Sequence, residues 1–140
     1  MNELSAGREL DALIAEKVMG WEYAQSSPDP AKYFCKEYGN NAGWWYRPSM
    51  TPGVKHWGCA TCSPPPEYST DIAAAWEVVE KLAPDLYVTI EDERHNSERF
   101  VSCWFRGDLW DNPNAEYLAQ AGTVPLAICR AALKAVASTP

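Results

Sequence analysis

One stretch of the chain decides the fold class: residues 69–106, STDIAAAWEVVEKLAPDLYVTIEDERHNSERFVSCWFR. Its first part, 69–83, predicts a helix, because apolar residues recur at three-to-four spacing and Ser69 or Thr70 can cap the start. Pro84 ends the helix, since proline cannot continue the backbone hydrogen-bond pattern. The apolar positions that this helix is expected to bury are Ile72, Ala75, Trp76, Val79, Leu82 and Ala83.

A β-hairpin is predicted after this helix, over residues 86–106. Residues 86–91 and 99–106 alternate with period two and are rich in β-branched and aromatic side chains, which is typical of strands. The polar residues 92–98 between them are expected to form a solvated turn. A helix followed by an antiparallel hairpin indicates an α+β fold.

Two further helices complete the predicted fold. Residues 4–19 predict an amphipathic helix, and the alanine-rich residues 123–137 predict another, which Thr123 can cap. Residues 107–122 are expected to form a loop. Because no repeat is visible and no linker separates two cores, residues 1–140 are predicted to be a single domain.

Residues 22–68 differ from the rest because prolines and glycines interrupt them throughout. These residues disfavour a continuous long helix. Short strands are expected near Gly43–Arg47 and Val54–Trp57, with a turn around Pro48–Gly53 between them. The segment is therefore predicted to be an irregular insert rich in proline and tryptophan.

Three helical segments form a recognisable set: LDALIAEKVMGW (10–21), YSTDIAAAWEVVEKL (68–82) and PLAICRAALKAV (125–136). In this order they resemble the small phage proteins of the phage ABA sandwich domain family. The resemblance implies an α-β-α sandwich, in which a small antiparallel sheet lies between helices, encoded by a bacteriophage or prophage. It carries over no catalytic residue.

The composition excludes several classes of protein. The 19 acidic and 12 basic residues leave a net charge of -7, which disfavours binding nucleic acid through its phosphates. The uncharged apolar runs are too short to cross a bilayer, and the N-terminal MNELSAGREL lacks the order of a signal peptide. An odd number of cysteines argues against a disulfide framework. We therefore expect a cytoplasmic protein of the bacterial host cell that binds neither membranes nor nucleic acid directly.

A local ligand site is predicted where acidic residues are missing. Residues 38–66 contain no Asp or Glu but carry basic and aromatic side chains, which suit a small anionic ligand bearing a heterocyclic base. The predicted site comprises Trp44, Trp45, Tyr46 and Trp57 against the base, Arg47, Lys55 and Arg106 against the phosphates, and Tyr68, Ser69 and Thr70 at the helix start. The alternative is that prolines and tryptophans pack together only to stiffen a long loop.

A metal site is the second chemical possibility in the insert. His56, Cys59 and Cys62 lie in KHWGCATC, and Cys35 is a possible fourth ligand, so that three thiolates and an imidazole would surround zinc. A single CxxC pair without a matched second pair is also what two reduced thiols in a turn would give. No metal or other cofactor is therefore part of the predicted function.

The absence of a complete catalytic motif favours a binding protein over an enzyme. We expect a phage-encoded accessory protein that sequesters a small nucleotide-derived signalling molecule of host antiviral defence, and that forms a homo-oligomer. The alternative is a protein–protein inhibitor of a host factor. It would use the aromatic insert as an anchor or its acidic surface as a mimic of nucleic acid.

Overall fold

The structure is a computed structural model. It describes residues 4–39, 43–48, 56–107 and 116–137. The chain divides into two compact units: a main unit of Met1–Val18 and Pro66–Pro140, and an insert unit of Met19–Pro65. No helix in the described ranges is long and apolar enough to cross a membrane. That the whole chain is a single domain stays a prediction.

The described residues contain three helices and six strands, which confirms the α+β prediction. In chain order they are α1 (Arg8–Lys17), β1 (Glu22–Ala24), β2 (Trp44–Arg47), β3 (His56–Cys59), α2 (Ile72–Leu82), β4 (Tyr87–His95), β5 (Glu98–Arg106), β6 (Glu116–Ala121) and α3 (Val124–Ala137). The strands form two antiparallel sheets, ordered β1-β2-β3 and β4-β5-β6.

The main unit is organised around α3, which contacts β5 and β6 of the sheet and also packs against α1 and α2. Alternate residues of β5, namely Val101, Cys103 and Phe105, are buried, so this part of the sheet has one apolar face. Cys103 and Cys129 are fully buried, as expected of thiols that act as small apolar side chains. Burial raises the pKa of each to about 12. Helices and antiparallel sheet together form the expected α+β sandwich.

The hairpin turn is much shorter than the predicted residues 92–98. Only Asn96 and Ser97 lie between β4 and β5, with φ angles of 51° and 69°. Positive φ at both central residues is the conformation of the two-residue turn that matches the twist of paired strands. Asp92 and Arg99 remain in the strands, where their ion pair of 2.7 Å stabilises a polar segment in an extended conformation.

The start of α2 also differs from the prediction. The carboxylate of Asp71 caps this helix by accepting a hydrogen bond from the backbone N–H of Ala73 at 3.1 Å, so neither Ser69 nor Thr70 is the cap. Three residues of the predicted buried stripe are instead exposed: Ile72 by 52%, Trp76 by 46%, and Ala83. Their positions are taken in the core by Ala74 and Val78, which lie on the neighbouring side of the helix. The packed side of α2 is therefore rotated from the predicted one.

Within the predicted loop 107–122 lies the strand β6, which pairs antiparallel with β5. Its sequence, EYLAQA, has little strand propensity, so its conformation depends on pairing with β5. Thr123 follows, and its hydroxyl accepts a hydrogen bond from the N–H of Leu126 at 3.4 Å, consistent with the predicted cap of α3.

The insert unit contains a sheet rather than only two short strands. Strand β2 occupies the predicted position, β3 lies two residues later than expected, and β1 adds a third strand. The predicted turn falls largely within 49–55, outside the described residues. Gly43 precedes β2 with a φ of 84°, and an added Cβ would approach the Tyr23 hydroxyl to 2.5 Å. Glycine is therefore required where β2 begins beside β1.

Candidate ligand-binding pocket of the insert unit

Strand register sorts the predicted site residues of the insert onto two faces of its sheet. Trp45 pairs with Gly58, and Arg47 pairs with His56. Directly paired residues of antiparallel strands project to the same side, and alternate residues of a strand project to the same side. These four positions therefore share one face, which we call the Arg47 face.

A pocket of about 570 Å³ opens on the Arg47 face. This volume lies within the range of small-molecule sites, roughly 300–1,000 Å³. The described lining residues combine indole rings with polar groups and include no acid. They are Trp21, Trp45, Arg47, Pro48, His56, Trp57, Gly58 and Ser63.

The cation of this pocket is Arg47, whose guanidinium carbon lies 4.7 Å from the centre of the Trp21 ring. A guanidinium held over an indole is restricted in orientation while its N–H edge stays available for a planar anion. In the described parts of the chain, Arg47 forms no ion pair. Residues 38–66 contain no carboxylate side chain, so the nearby sequence also supplies no acid to neutralise it.

The tryptophans of the pocket differ in how much surface they offer. Trp21 and Trp45 are each 7% exposed, and their rings pack edge to face with centroids 6.0 Å apart. They therefore form the floor of the pocket. Trp57 is only half-buried, and it lies on β3 at the edge of the sheet. Because Trp57 pairs with Tyr46, its indole projects to the face opposite Arg47, and the rings that face the pocket are those of Trp21 and Trp45.

Trp44 and Tyr46 lie on the opposite side of β2, and neither lines the 570 Å³ pocket. Trp44 is 3% exposed and belongs to a core cluster with Cys35 and Cys59. Tyr46 packs against Trp57 with ring centroids 5.2 Å apart. Both side chains contribute packing on what we call the thiol face, behind the strand that carries Arg47.

Four of the other predicted site residues lie in the main unit, and one lies outside the described residues. Tyr68 and Ser69 are buried in the main unit, whereas Thr70 is exposed. Arg106 is exposed on β5, with its guanidinium 6.0 Å from the Trp104 ring. Lys55 lies outside the described residues. Ser69 donates its hydroxyl proton to Asp11 at 2.6 Å, a contact that ties α1 to the start of α2.

The thiol face brings together three of the four predicted metal ligands. The Sγ atoms of Cys35, Cys59 and Cys62 all lie within 4.8 Å of one another. His56 is instead paired with Arg47 and lines the pocket on the Arg47 face. The histidine and the thiols are therefore on opposite sides of the sheet.

Proximity perturbs the acidity of these thiols. Burial raises the pKa of Cys59, but hydrogen bonds from the backbone N–H groups of Cys62 and Thr61 and from the neighbouring thiols bring it below its ordinary value. The hydrogen bond with Cys35, followed by desolvation, raises the pKa of Cys62 to about 12. The cluster therefore favours one thiolate over several, because adjacent negative sulfurs repel each other.

The predicted ligand site lacked five lining residues of the pocket, and His56 among them was predicted only as a metal ligand. The five are Trp21, Pro48, His56, Gly58 and Ser63. Trp21 precedes the acid-free stretch, and it joins the pocket because its indole packs against Trp45. The high aromatic content of the chain was the only available signal for it in the sequence.

A protein-family model described as "Phage ABA sandwich domain" matches residues 12–133. The chain belongs to this family. The match extends through both compact units, so the phage ABA sandwich region includes the insert unit with its pocket. Neither a curated protein nor a solved structure matches the chain significantly.

Proposed function

We propose that this phage ABA sandwich protein binds a small planar anionic ligand of the nucleotide class in the Arg47 pocket. The observation that carries the proposal is the Arg47 guanidinium, stacked on Trp21 and without an acidic partner among the described residues. A cation left uncompensated in a pocket attracts an anion from solution. Arginine also matches the geometry of phosphate oxygens through paired N–H groups.

The remaining lining residues suit the rest of such a ligand. The indole rings of Trp21 and Trp45, which form the floor of the pocket, offer an apolar surface against which a base can lie. His56 and Ser63, both exposed, supply polar groups for sugar or phosphate oxygens. In this pose the phosphate lies beside Arg47 and the base lies beside Trp45.

The biological role we propose is sequestration. A phage protein that binds a nucleotide-derived signal without converting it lowers the free concentration of that signal in the host. Host antiviral defence is the system in which such a loss would help a phage. Arg47, Trp45 and His56 would then act as binding groups and not as catalysts.

Calorimetry with a nucleotide panel tests the proposed function. The panel contains cyclic di- and trinucleotides, ADP-ribose derivatives and mononucleotides, titrated into the full-length chain. We expect at least one to bind, and Arg47→Ala to weaken its binding about 10- to 100-fold, because a charge-assisted hydrogen bond contributes roughly 1.5–3 kcal/mol. Arg47→Lys should also weaken binding, since lysine lacks the planar fork.

Arg94→Ala is the matched control, because Arg94 is an exposed arginine on β4 of the main unit. Its affinity should equal that of the unaltered chain. The proposal fails if no member of the panel binds, or if Arg47→Ala binds the ligand as tightly as the unaltered chain. The native mass of the same sample tests the proposed homo-oligomer.

The second candidate is a protein–protein inhibitor of a host factor. It is favoured by two exposed aromatic residues of the insert unit, Phe34 at 61% and Tyr38 at 51%. Large aromatic side chains of this kind often anchor protein interfaces. The two candidates separate by mutation: Phe34→Ala with Tyr38→Ala should abolish binding to a host protein, whereas Arg47→Ala should abolish binding to a nucleotide.

A further inference from the structure

The thiol face of the insert unit carries chemistry that ligand binding on the opposite face does not use. Cys35 comes from the loop after β1, Cys59 ends β3, and Cys62 lies in the turn that follows. Their sulfurs nevertheless converge, with Cys35 Sγ and Cys62 Sγ 3.5 Å apart and all three within 4.8 Å. Residues separated by 27 positions in sequence thus meet through the fold.

These distances suit a shared metal ion. Zinc binds thiolate sulfur at about 2.3 Å, which places two sulfurs of a tetrahedral site about 3.8 Å apart. The Cys35–Cys62 separation of 3.5 Å lies close to that value, and no separation among the three sulfurs exceeds 4.8 Å. Soft thiolate ligands favour zinc over hard cations such as magnesium or calcium.

Backbone N–H groups support sulfur in a charged form. The N–H of Tyr38 donates to Cys35 Sγ at 3.4 Å, and those of Thr61 and Cys62 donate to Cys59. In two of these contacts the donor lies three residues after the cysteine, within a turn. Such donors orient a metal-bound thiolate and stabilise its negative charge.

The surroundings also balance the charge of a three-thiolate site. Zinc with three thiolates carries a net charge of one negative unit. A cavity of about 460 Å³ beside the cysteines is lined by Lys32 and Lys36 as well as by Glu37. The two ammonium groups more than offset the one carboxylate. The cavity also gives water access to the fourth coordination position.

We propose that Cys35, Cys59 and Cys62 bind one zinc ion, with water as the fourth ligand. On binding, each thiol gives up its proton to solvent, and no change of oxidation state takes place. The ion joins the loop before β2 to the end of β3. His56 has no part in this site, because it lies on the Arg47 face.

A bound metal ion would stabilise the insert unit, whose buried cluster is small. Its buried cluster on the thiol face consists of Cys35, Trp44 and Cys59, with Tyr33 and Trp57 packed against it. Units this small seldom gain enough stability from apolar packing and often rely on a metal or disulfide. Zinc would cross-link two of the three buried members of this cluster.

Native mass spectrometry of the full-length chain, purified without a metal-binding tag and under reducing conditions, tests the zinc site. We expect the mass of the chain plus one zinc ion, with one zinc per chain by elemental analysis. Cys62→Ser should lose most of the metal, because the exposed Cys62 is a ligand that the core does not need. Cys103→Ala is the matched control and should retain one zinc, since Cys103 is buried in the main unit.

A second test replaces zinc with cobalt in the unaltered chain and therefore needs no variant. Cobalt bound by three thiolates should give intense sulfur-to-cobalt charge-transfer absorption together with the visible bands of a tetrahedral site. Absence of bound zinc after incubation with the ion, absence of the charge-transfer band, or a Cys35–Cys62 disulfide under reducing conditions would each overturn the proposal. Arg47→Ala should keep its zinc, so failure of ligand binding and failure of the zinc site are distinguishable.

Discussion

Replacing Asp11 with alanine should strongly destabilise the main unit, because this carboxylate holds two buried donors. Asp11 is 5% exposed in α1, and its Oδ1 accepts two hydrogen bonds from Ser69, one from the N–H at 2.8 Å and one from the hydroxyl at 2.6 Å. Ser69 is fully buried. Removing the carboxylate therefore leaves the Ser69 N–H without its acceptor, and leaves the hydroxyl only its long contact of 3.5 Å with the Gly7 carbonyl, in a place that water does not reach.

The magnitude follows from those two bonds. A buried donor left unsatisfied costs about 1–3 kcal/mol, so Asp11→Ala should lower the free energy of unfolding by about 3 kcal/mol. Asp11→Asn keeps an oxygen acceptor and should lower it by only about 1 kcal/mol. The exposed Glu16 on the same helix is the control, and Glu16→Ala should change stability by less than about 0.5 kcal/mol.

Urea unfolding followed by circular dichroism gives these free energies. A double-mutant cycle with Ser69→Ala isolates the hydrogen bond between the Ser69 hydroxyl and the Asp11 carboxylate, because the backbone N–H remains, and this coupling should be about 1–3 kcal/mol. A loss below about 0.5 kcal/mol for Asp11→Ala, or additive effects of the two substitutions, would refute the reasoning.

Two further predictions concern the hairpin of β4 and β5. Ser97→Gly should raise the free energy of unfolding by about 0.5 kcal/mol, because relief of positive φ at Ser97 outweighs the added chain entropy of glycine. Ser97→Ala retains the Cβ and should give no gain; an equal gain in urea unfolding would contradict this explanation. The hydrogen bond from Arg99 lowers the pKa of Asp92 in the folded state. The ion pair therefore contributes its full stability above the unfolded pKa of about 3.9, and this stability is lost as the pH falls through the folded pKa. Asp92→Asn should therefore be less stable than the unaltered chain at pH 7, with a difference that disappears in acid; a difference independent of pH would contradict it.

Local patterns predicted the main unit well where tertiary contacts agreed with them. Helix and strand periodicity placed α2, α3 and the core of the hairpin near their observed positions. The turn was predicted too long, because Asn96–Ser97 lacks the glycine that usually marks a two-residue turn. Strand β6 was missed because its pairing with β5, and not the propensity of EYLAQA, stabilises it.

The sequence indicated a ligand site in the insert, and that this site binds a ligand stays a prediction; which residues line the pocket there could not be read from the sequence. The absence of acids from 38–66 pointed to the insert, where Arg47 does line a pocket. Which ring belongs to that pocket depends on strand register, because neighbouring residues such as Trp44 and Trp45 project to opposite faces. Register follows from the pairing of β2 with β1 and β3, which no local pattern in a proline-rich segment specifies.

The membership of the cysteine cluster also depends on the fold and could not be predicted from local sequence. The CxxC pair is visible in sequence, and so is His56 three residues before Cys59. In an extended strand, residues three apart project to opposite sides, so the histidine lies away from the thiols. Cys35 joins the pair only through the fold of the loop that carries it.

The central claim is that the Arg47 pocket binds a small planar anion, and mass spectrometry of ligand released from the protein tests it most directly. The full-length chain and Arg47→Ala would be recovered from phage-infected bacterial cells, washed, denatured and examined for released small molecules. We expect a phosphate-bearing compound with a heterocyclic base, near one per site in the unaltered chain and strongly depleted in Arg47→Ala. Release of no such compound, or equal amounts from both proteins, would contradict the claim.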